Sequence, residues 1–395
     1  MKVKEQLYQG RITSIDAFRG ITILVMIFVN ELAGVSNVPQ WMKHMPAEAD
    51  AMTFVDLVFP AFLFIVGMSV PFAFNARLRK GDSNLEIWKH TLIRSFALIV
   101  MGLYMVNAEY GYDASQMLIT PSLWAFLAYS LPIPIWNKYS KNFSKTWKYA
   151  LQYGGVLGLV ALYFLYVRED GGIGLTPKWW GILGLIGWAY LFTVVSYWMV
   201  KGRILAVFAF FLLCVSVNCI ASMDGLSINE NPVFSFVSGH MTHASIVSAG
   251  VLVSLLFFER KWEKINWAVI AFAALLFGAG LLLRPYFEVS KIRATPSWCL
   301  YSAGICTIVY YFLYWLMEEK KRVSWSEFFM PAAANPLLIY ILPGIIIYFN
   351  ASLGFHVIPE YFASGVPGIL WSAVFSVIML YLMKLFNRMN IRLHI

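Results

Sequence analysis

Long apolar runs alternate with short polar segments along the whole chain. Twelve runs approach the roughly 20 residues that a membrane-crossing helix needs: 20–36, 54–75, 91–107, 119–137, 147–167, 179–200, 204–222, 242–258, 265–284, 296–317, 332–350 and 366–386. The pattern predicts an all-α fold, a polytopic transmembrane helical bundle of about 10–12 spans. No polar segment is long enough to bury a core of its own. A single transmembrane domain over residues 1–395 is therefore expected, with residues 1–75 as its first helical hairpin.

Charge adds a direction to this pattern. With the N-terminus inside, the inner segments hold 24 of the 30 Lys and Arg residues. Among them are Arg77, Arg79, Lys80 and Lys89, then Lys138, Lys141 and Lys145, then Arg260, Lys261 and Lys264. The outer segments hold six: Lys43, Arg168, Lys178, Arg284, Lys291 and Arg293. Basic residues favour the cytoplasmic side, so both termini are expected there. The net charge of +9 is spread over these short loops and reads as topology; no nucleic-acid partner is expected.

Composition agrees. The chain is 60% hydrophobic and 13% charged, with a mean hydropathy of +0.67, where a soluble domain carries about 25% charge. The N-terminus is polar through Gly20, and no small-residue cleavage site follows the first run, so no cleavable leader is expected. Cys214, Cys219, Cys299 and Cys306 all fall inside apolar runs, without metal-ligand spacing or a disulfide framework.

Polar groups in or beside the first two spans carry the candidate chemistry, because such groups are expensive in a bilayer. Asp16 and Arg19 precede the first span and, three residues apart, can pair on one helical face. Asn30 is expected to be buried within that span, about 16 Å beyond Arg19 at 1.5 Å per residue. His44 lies in the loop that follows, and Asp56 opens the second span. An imidazole at His44 can take a proton or carry an acyl group; equally, it is a solvated loop residue beside Lys43. The Asn30 amide can donate to an oxyanion or form an interhelical hydrogen bond. Asp56 can orient His44 or serve the helix start, with Thr53 as cap. His240 and His243, three apart, are expected near an outer loop that ends as the eighth span begins; two histidines make a weak case for a metal.

The stretch from Arg11 to Gly67 also resembles a known family. It reads R-I-T-S-I-D-A-F-R-G, then F-V-N ending at Asn30, then His44, then T-F-V-D-L-V-F-P-A-F-L-F-I-V-G. This is similar to the bacterial relatives of heparan-α-glucosaminide N-acetyltransferase, membrane enzymes that move an acetyl group from acetyl-CoA to a terminal glucosamine. Further on, Lys291 before Thr295-Pro296-Ser297-Trp298 and Asn335 in Asn335-Pro336-Leu337-Leu338-Ile339-Tyr340 resemble two more family segments. A broader group of membrane O-acyltransferases carries a His fourteen residues after the corresponding Asp. Asn30 holds that position here, which resembles the amino-sugar branch. The chain departs from the family in lacking Gly-Val-Leu-Gln-Arg, Asp-Pro-Glu-Gly and a Trp-Asn-Gly after the loop His.

The resemblance implies an acetyl-CoA-dependent N-acetyltransferase of the bacterial inner membrane, acting on an amine or hydroxyl of an amino sugar or glycan outside. His44, Asn30 and Asp56 would be catalytic. Arg19, Asp16, Arg77 and Lys80 would meet acetyl-CoA. Lys291, Asn335, His240 and His243 would meet the acceptor. No metal is expected. The lipid bilayer is the expected environment, and a homodimer is among the expected assemblies. The competing reading is a secondary transporter of a small polar solute, with broken helices near Pro60, Pro336 and Pro343.

Overall fold

The computed structural model describes residues 7, 10, 12–178, 181–259, 265–355 and 360–393. Arg11 of the opening motif and the loop residues Arg260, Lys261 and Lys264 lie outside the described residues. Among the described residues fourteen α-helices follow one another: α1 (Thr13–Leu32), α2 (Val55–Arg79), α3 (Asn84–Glu109), α4 (Pro121–Ser130), α5 (Pro132–Trp136), α6 (Lys145–Leu165), α7 (Ile182–Met199), α8 (Ile204–Ala221), α9 (Pro232–Phe258), α10 (Ile265–Leu283), α11 (Pro296–Tyr314), α12 (Met330–Ala334), α13 (Pro336–Ser352) and α14 (Gly365–Arg388). Among the described residues there is no β-sheet, only isolated bridges. The protein is an all-α polytopic membrane protein.

Among the described residues, seven helices are long and apolar enough to cross a bilayer: α2, α3, α7, α8, α9, α11 extended through Glu319, and α14. An eighth arises if Ser324–Ala334 and Pro336–Ser352, bent by 70°, count as one span. Every expected stretch contains helix, yet fewer than twelve form a continuous span. Prolines account for part of the difference, since each removes an amide donor. Pro132 splits the fourth stretch into α4 and α5, of 10 and 5 residues. Pro336 starts α13 afresh after Asn335.

Helix starts follow local chemistry. Thr120 Oγ1 accepts from Leu123 N before Pro121 opens α4. Asn231 Oδ1 accepts from Val233 N and Phe234 N at 2.9 and 3.1 Å, and Pro232 opens α9. A capping side chain followed by proline is the favoured way to begin a helix. Glu318 receives Thr13 Oγ1, Ser14 N and Ser14 Oγ at 3.1–3.2 Å, placing a carboxylate at the N-terminus of α1, where the helix dipole favours it.

Packing divides the chain into two compact units. The first comprises Met1–Thr22, Pro39–Ser95 and Ile186–Glu327; the second comprises Ile23–Val38, Phe96–Leu185 and Phe328–Ile395. In the first unit, α9 is the central helix, buried along most of its length. α2 lies against it through two glycines. A Cβ on Gly67 would collide with the Val247 carbonyl, and one on Gly250 with the Phe64 carbonyl. Small residues permit this approach, which in lipid is driven by van der Waals packing. In the second unit, α4 packs on α13, where Gly344 admits the Tyr129 ring. Tyr104 and Trp124 donate to the Leu159 and Leu162 carbonyls of α6 at 2.7 and 2.9 Å.

Gly67→Ala should therefore force α2 and α9 apart. Overpacking of this kind costs about 1–3 kcal/mol, and the purified variant should melt below wild type. Gly154→Ala, where a Cβ meets nothing, should melt at or above wild type; equal melting of both variants would contradict the close approach.

Candidate functional site

The start of α2 builds the centre of the first unit. Thr53 Oγ1 accepts from Val55 N at 3.2 Å, while Asp56 Oδ2 accepts from Thr53 N at 2.9 Å. The two side chains thus tie the residues just ahead of α2 to its first turn. The Asp56 carboxylate is 1% exposed and has an oxygen to spare. Its Oδ1 meets His44 Nδ1 at 2.7 Å, and Oδ2 also receives Met45 N at 3.4 Å. A carboxylate only accepts, so Nδ1 carries the hydrogen, and in the neutral ring this leaves the lone pair on Nε2. The His44 side chain is 43% exposed. A fixed buried anion thus presents an accessible imidazole.

A second loop supplies the cation. Lys291 Nζ lies 3.5 Å from His44 Nε2. Burial pushes its ammonium below the usual lysine range, with the Asp56 carboxylate pulling the other way. The segment carrying Lys291 is tied to the loop carrying His44. Arg284 Nε donates to Asp50 at 2.9 Å, Val289 N donates to Asp50 Oδ1 at 2.8 Å, and Ala51 N donates to Val289 O at 3.1 Å. Arg293 Nε reaches Ala47 O at 2.9 Å and Arg293 also pairs with Glu288. Beneath the site, the fully buried Trp298 donates from Nε1 to Asp56 O at 3.3 Å.

His240 and His243 do not stand at a loop mouth. α9 begins at Pro232, ten residues before the expected start of that span, so both histidines lie within the helix. They are 4% and 7% exposed. His240 packs among Trp188, Phe192 and Phe236; His243 packs beside Phe59 and Trp298. Among the described residues, no group of three or more His, Cys, Asp or Glu side chains is placed to hold a metal ion.

At the other end of α2, a cavity of about 450 Å³ is lined by Asp16, Arg19, Ser69, Asn75 and Arg79. Arg19 bridges Asp16 and Ser69 at 3.0 Å each. Arg77 instead pairs with Asp82 at 2.9 Å, and Lys80 serves as the C-cap of α2. The cavity therefore gathers Asp16 and Arg19 with Arg79. The second unit holds Asn30 and Asn335. Asn30 is exposed in the last turn of α1 rather than buried within a span, because that helix ends at Leu32. It lines a cavity of about 400 Å³ with Glu31, Glu109 and three tyrosines. Asn335 uses both ends of its amide on the C-terminal segment, donating to Ile391 O and accepting from Leu393 N.

Residues 11–238 match the family described as "Domain of unknown function (DUF5009)", which is more than half of the chain. The chain belongs to this family. It is also similar to heparan-alpha-glucosaminide N-acetyltransferase of Homo sapiens, 39% identical over 101 residues, covering 25% of this chain and 14% of that protein. The Mus musculus counterpart is 37% identical over 102 residues, covering 26% and 15%. The match thus spans well under two thirds of either curated relative. The residues matched to the DUF5009 family include Asp16, Arg19, Asn30, His44, Asp56 and Arg79, and end before Lys291.

Asp56→Ala should leave the Thr53 and Met45 amides and the His44 Nδ1 hydrogen without their acceptor. Loss of a buried acceptor costs about 1–3 kcal/mol. Thermal denaturation should show that loss, and an unchanged melting temperature would contradict the capping role of this carboxylate.

Proposed function

We propose that this protein is a membrane acetyltransferase of the bacterial cytoplasmic membrane. It moves an acetyl group from cytoplasmic acetyl-CoA to an amine or hydroxyl of an amino sugar or glycan on the outer side. The observation that carries the reading is the Asp56–His44–Lys291 arrangement: a buried carboxylate at 2.7 Å from Nδ1 and an ammonium at 3.5 Å from Nε2. The family membership and the partial similarity to the two curated acetyltransferases support it.

In this reading His44 Nε2 takes the proton of the attacking amine or hydroxyl, and the Asp56 carboxylate stabilises the imidazolium that forms. The nucleophile adds to the thioester carbonyl carbon. The resulting oxyanion is stabilised by the Lys291 ammonium, 3.5 Å from His44 Nε2. Collapse breaks the carbon–sulfur bond, and the CoA thiolate leaves with the proton held on His44. The sixteen-residue interval from Asn30 to Met45 includes both the end of α1 and the loop histidine, so donor-side and acceptor-side groups are close in sequence. Arg19 and Arg79 hold the phosphates of the donor in the 450 Å³ cavity, guanidinium groups being suited to bidentate phosphate contacts.

The test is acetyl transfer by purified protein with labelled acetyl-CoA and a panel of amino sugars. His44→Ala should abolish transfer while retaining acetyl-CoA binding. Lys291→Ala should lower turnover by about a hundred- to a thousandfold, the usual cost of one lost oxyanion donor. Near-normal turnover of the histidine variant, or transfer to no acceptor by wild type, would refute the reading. Arg19→Ala should weaken acetyl-CoA binding by calorimetry more than it slows the bound complex; unchanged affinity would leave Arg19 as a packing partner of Asp16 and Ser69.

A further inference from the structure

The cavity of the second unit has an electrostatic character that acyl transfer at His44 does not use. Its wall carries two carboxylates, Glu31 and Glu109, and three phenols, Tyr129, Tyr340 and Tyr348, beside Asn30. No Lys, Arg or His is among the described residues that line it. Glu31 is 6% exposed, and Trp371 Nε1 donates to its Oε1 at 2.9 Å. That neutral donor leaves the charge of a carboxylate uncompensated. The exposed side chain of Glu109, in the last turn of α3, makes no ion pair or hydrogen bond among the described residues. Tyr129 is 9% exposed, and its hydroxyl likewise has no hydrogen-bond partner among the described residues.

We infer that this cavity binds a small organic cation whose ammonium group is neutralised by Glu31 and Glu109 and faced by the tyrosine rings. Three physical arguments converge. A carboxylate as buried as that of Glu31 needs a partner charge or a proton. Aromatic faces attract cations, ammonium groups included. The volume, about 400 Å³, lies in the range of small-molecule pockets, about 300–1,000 Å³, and far exceeds what a bare ion fills. Unpaired tyrosine hydroxyls and the Asn30 amide add hydrogen-bonding capacity for a polar, hydroxylated body around the ammonium. The same two carboxylates would repel a developing oxyanion, so the surroundings of Asn30 favour a cation over the oxyanion first expected there.

The inference is read by binding alone, without an acyl donor, and therefore stands or falls separately from acetyl transfer. Purified full-length protein is titrated calorimetrically with glucosamine, with its neutral counterpart glucose, and with tetramethylammonium. Saturable binding of the two cations, and at least about tenfold weaker binding of glucose, is expected. Glu109→Gln should abolish that preference while its melting temperature stays near wild type. Tyr129→Phe, which removes only a hydroxyl, should weaken glucosamine and leave tetramethylammonium unchanged. Equal affinity for glucosamine and glucose, retention of the preference in Glu109→Gln, or binding of Na⁺ or Ca²⁺ with no ammonium binding would each overturn the inference.

Discussion

The Asp56 carboxylate is the constraint on which the functional half of the first unit depends. One side chain, 1% exposed, ends the loop, starts α2 and holds the imbalanced hydrogen of His44. Its backbone carbonyl is in turn occupied by Trp298 of α11. A carboxylate so buried is tolerable only when its lone pairs are taken, and here backbone amides, a hydroxyl and an imidazole take them. Local folding and the orientation of the candidate base are therefore one event. The exposed imidazole is the variable part, and the buried anion is the fixed one.

The Lys291 segment completes the arrangement by a different route. Its ties to the His44 loop are mostly surface contacts: the Arg284–Asp50 pair, the Arg293 bond to Ala47 O and one backbone hydrogen bond. Exposed ion pairs contribute about 0–1 kcal/mol each, so this clamp positions Lys291 more than it stabilises the fold. Stability comes instead from the apolar contact of α2 with α9 through Gly67 and Gly250. Positioning and stability are thus carried by different residues. A change at the clamp alters geometry first, and a change at the glycines alters folding first.

Much of this was legible in the sequence. Apolar runs announced an all-α membrane protein, because a bilayer admits spanning helices of defined length. Thr53 and Asp56, three residues apart ahead of an apolar run, announced a cap. His44 and Lys291 were singled out, but their meeting across 247 residues of chain is a tertiary fact that no local spacing encodes. The histidine pair was misplaced for a definite reason: the Asn231-Pro232 start signal lies ten residues upstream of the apolar run, so the helix precedes the hydropathy. Asn30 was expected to be buried because apolar residues surround it in sequence; the helix ends two residues later and turns it to a cavity. Arg79 was not told apart from Arg77 and Lys80, because neighbouring basic residues are indistinguishable until one of them, Arg77, is paired with Asp82.

The central claim is that an acetyl group passes from a donor on one side of the membrane to an acceptor on the other with His44 as the base. Proteoliposomes loaded with acetyl-labelled CoA, with glucosamine supplied only outside, test it most directly. The account predicts labelled N-acetylglucosamine outside, with unlabelled CoA retained within, and no such product from vesicles carrying the His44→Ala protein. Export of intact acetyl-CoA, import of glucosamine before any labelling, or label appearing at equal rate with the histidine replaced would contradict it.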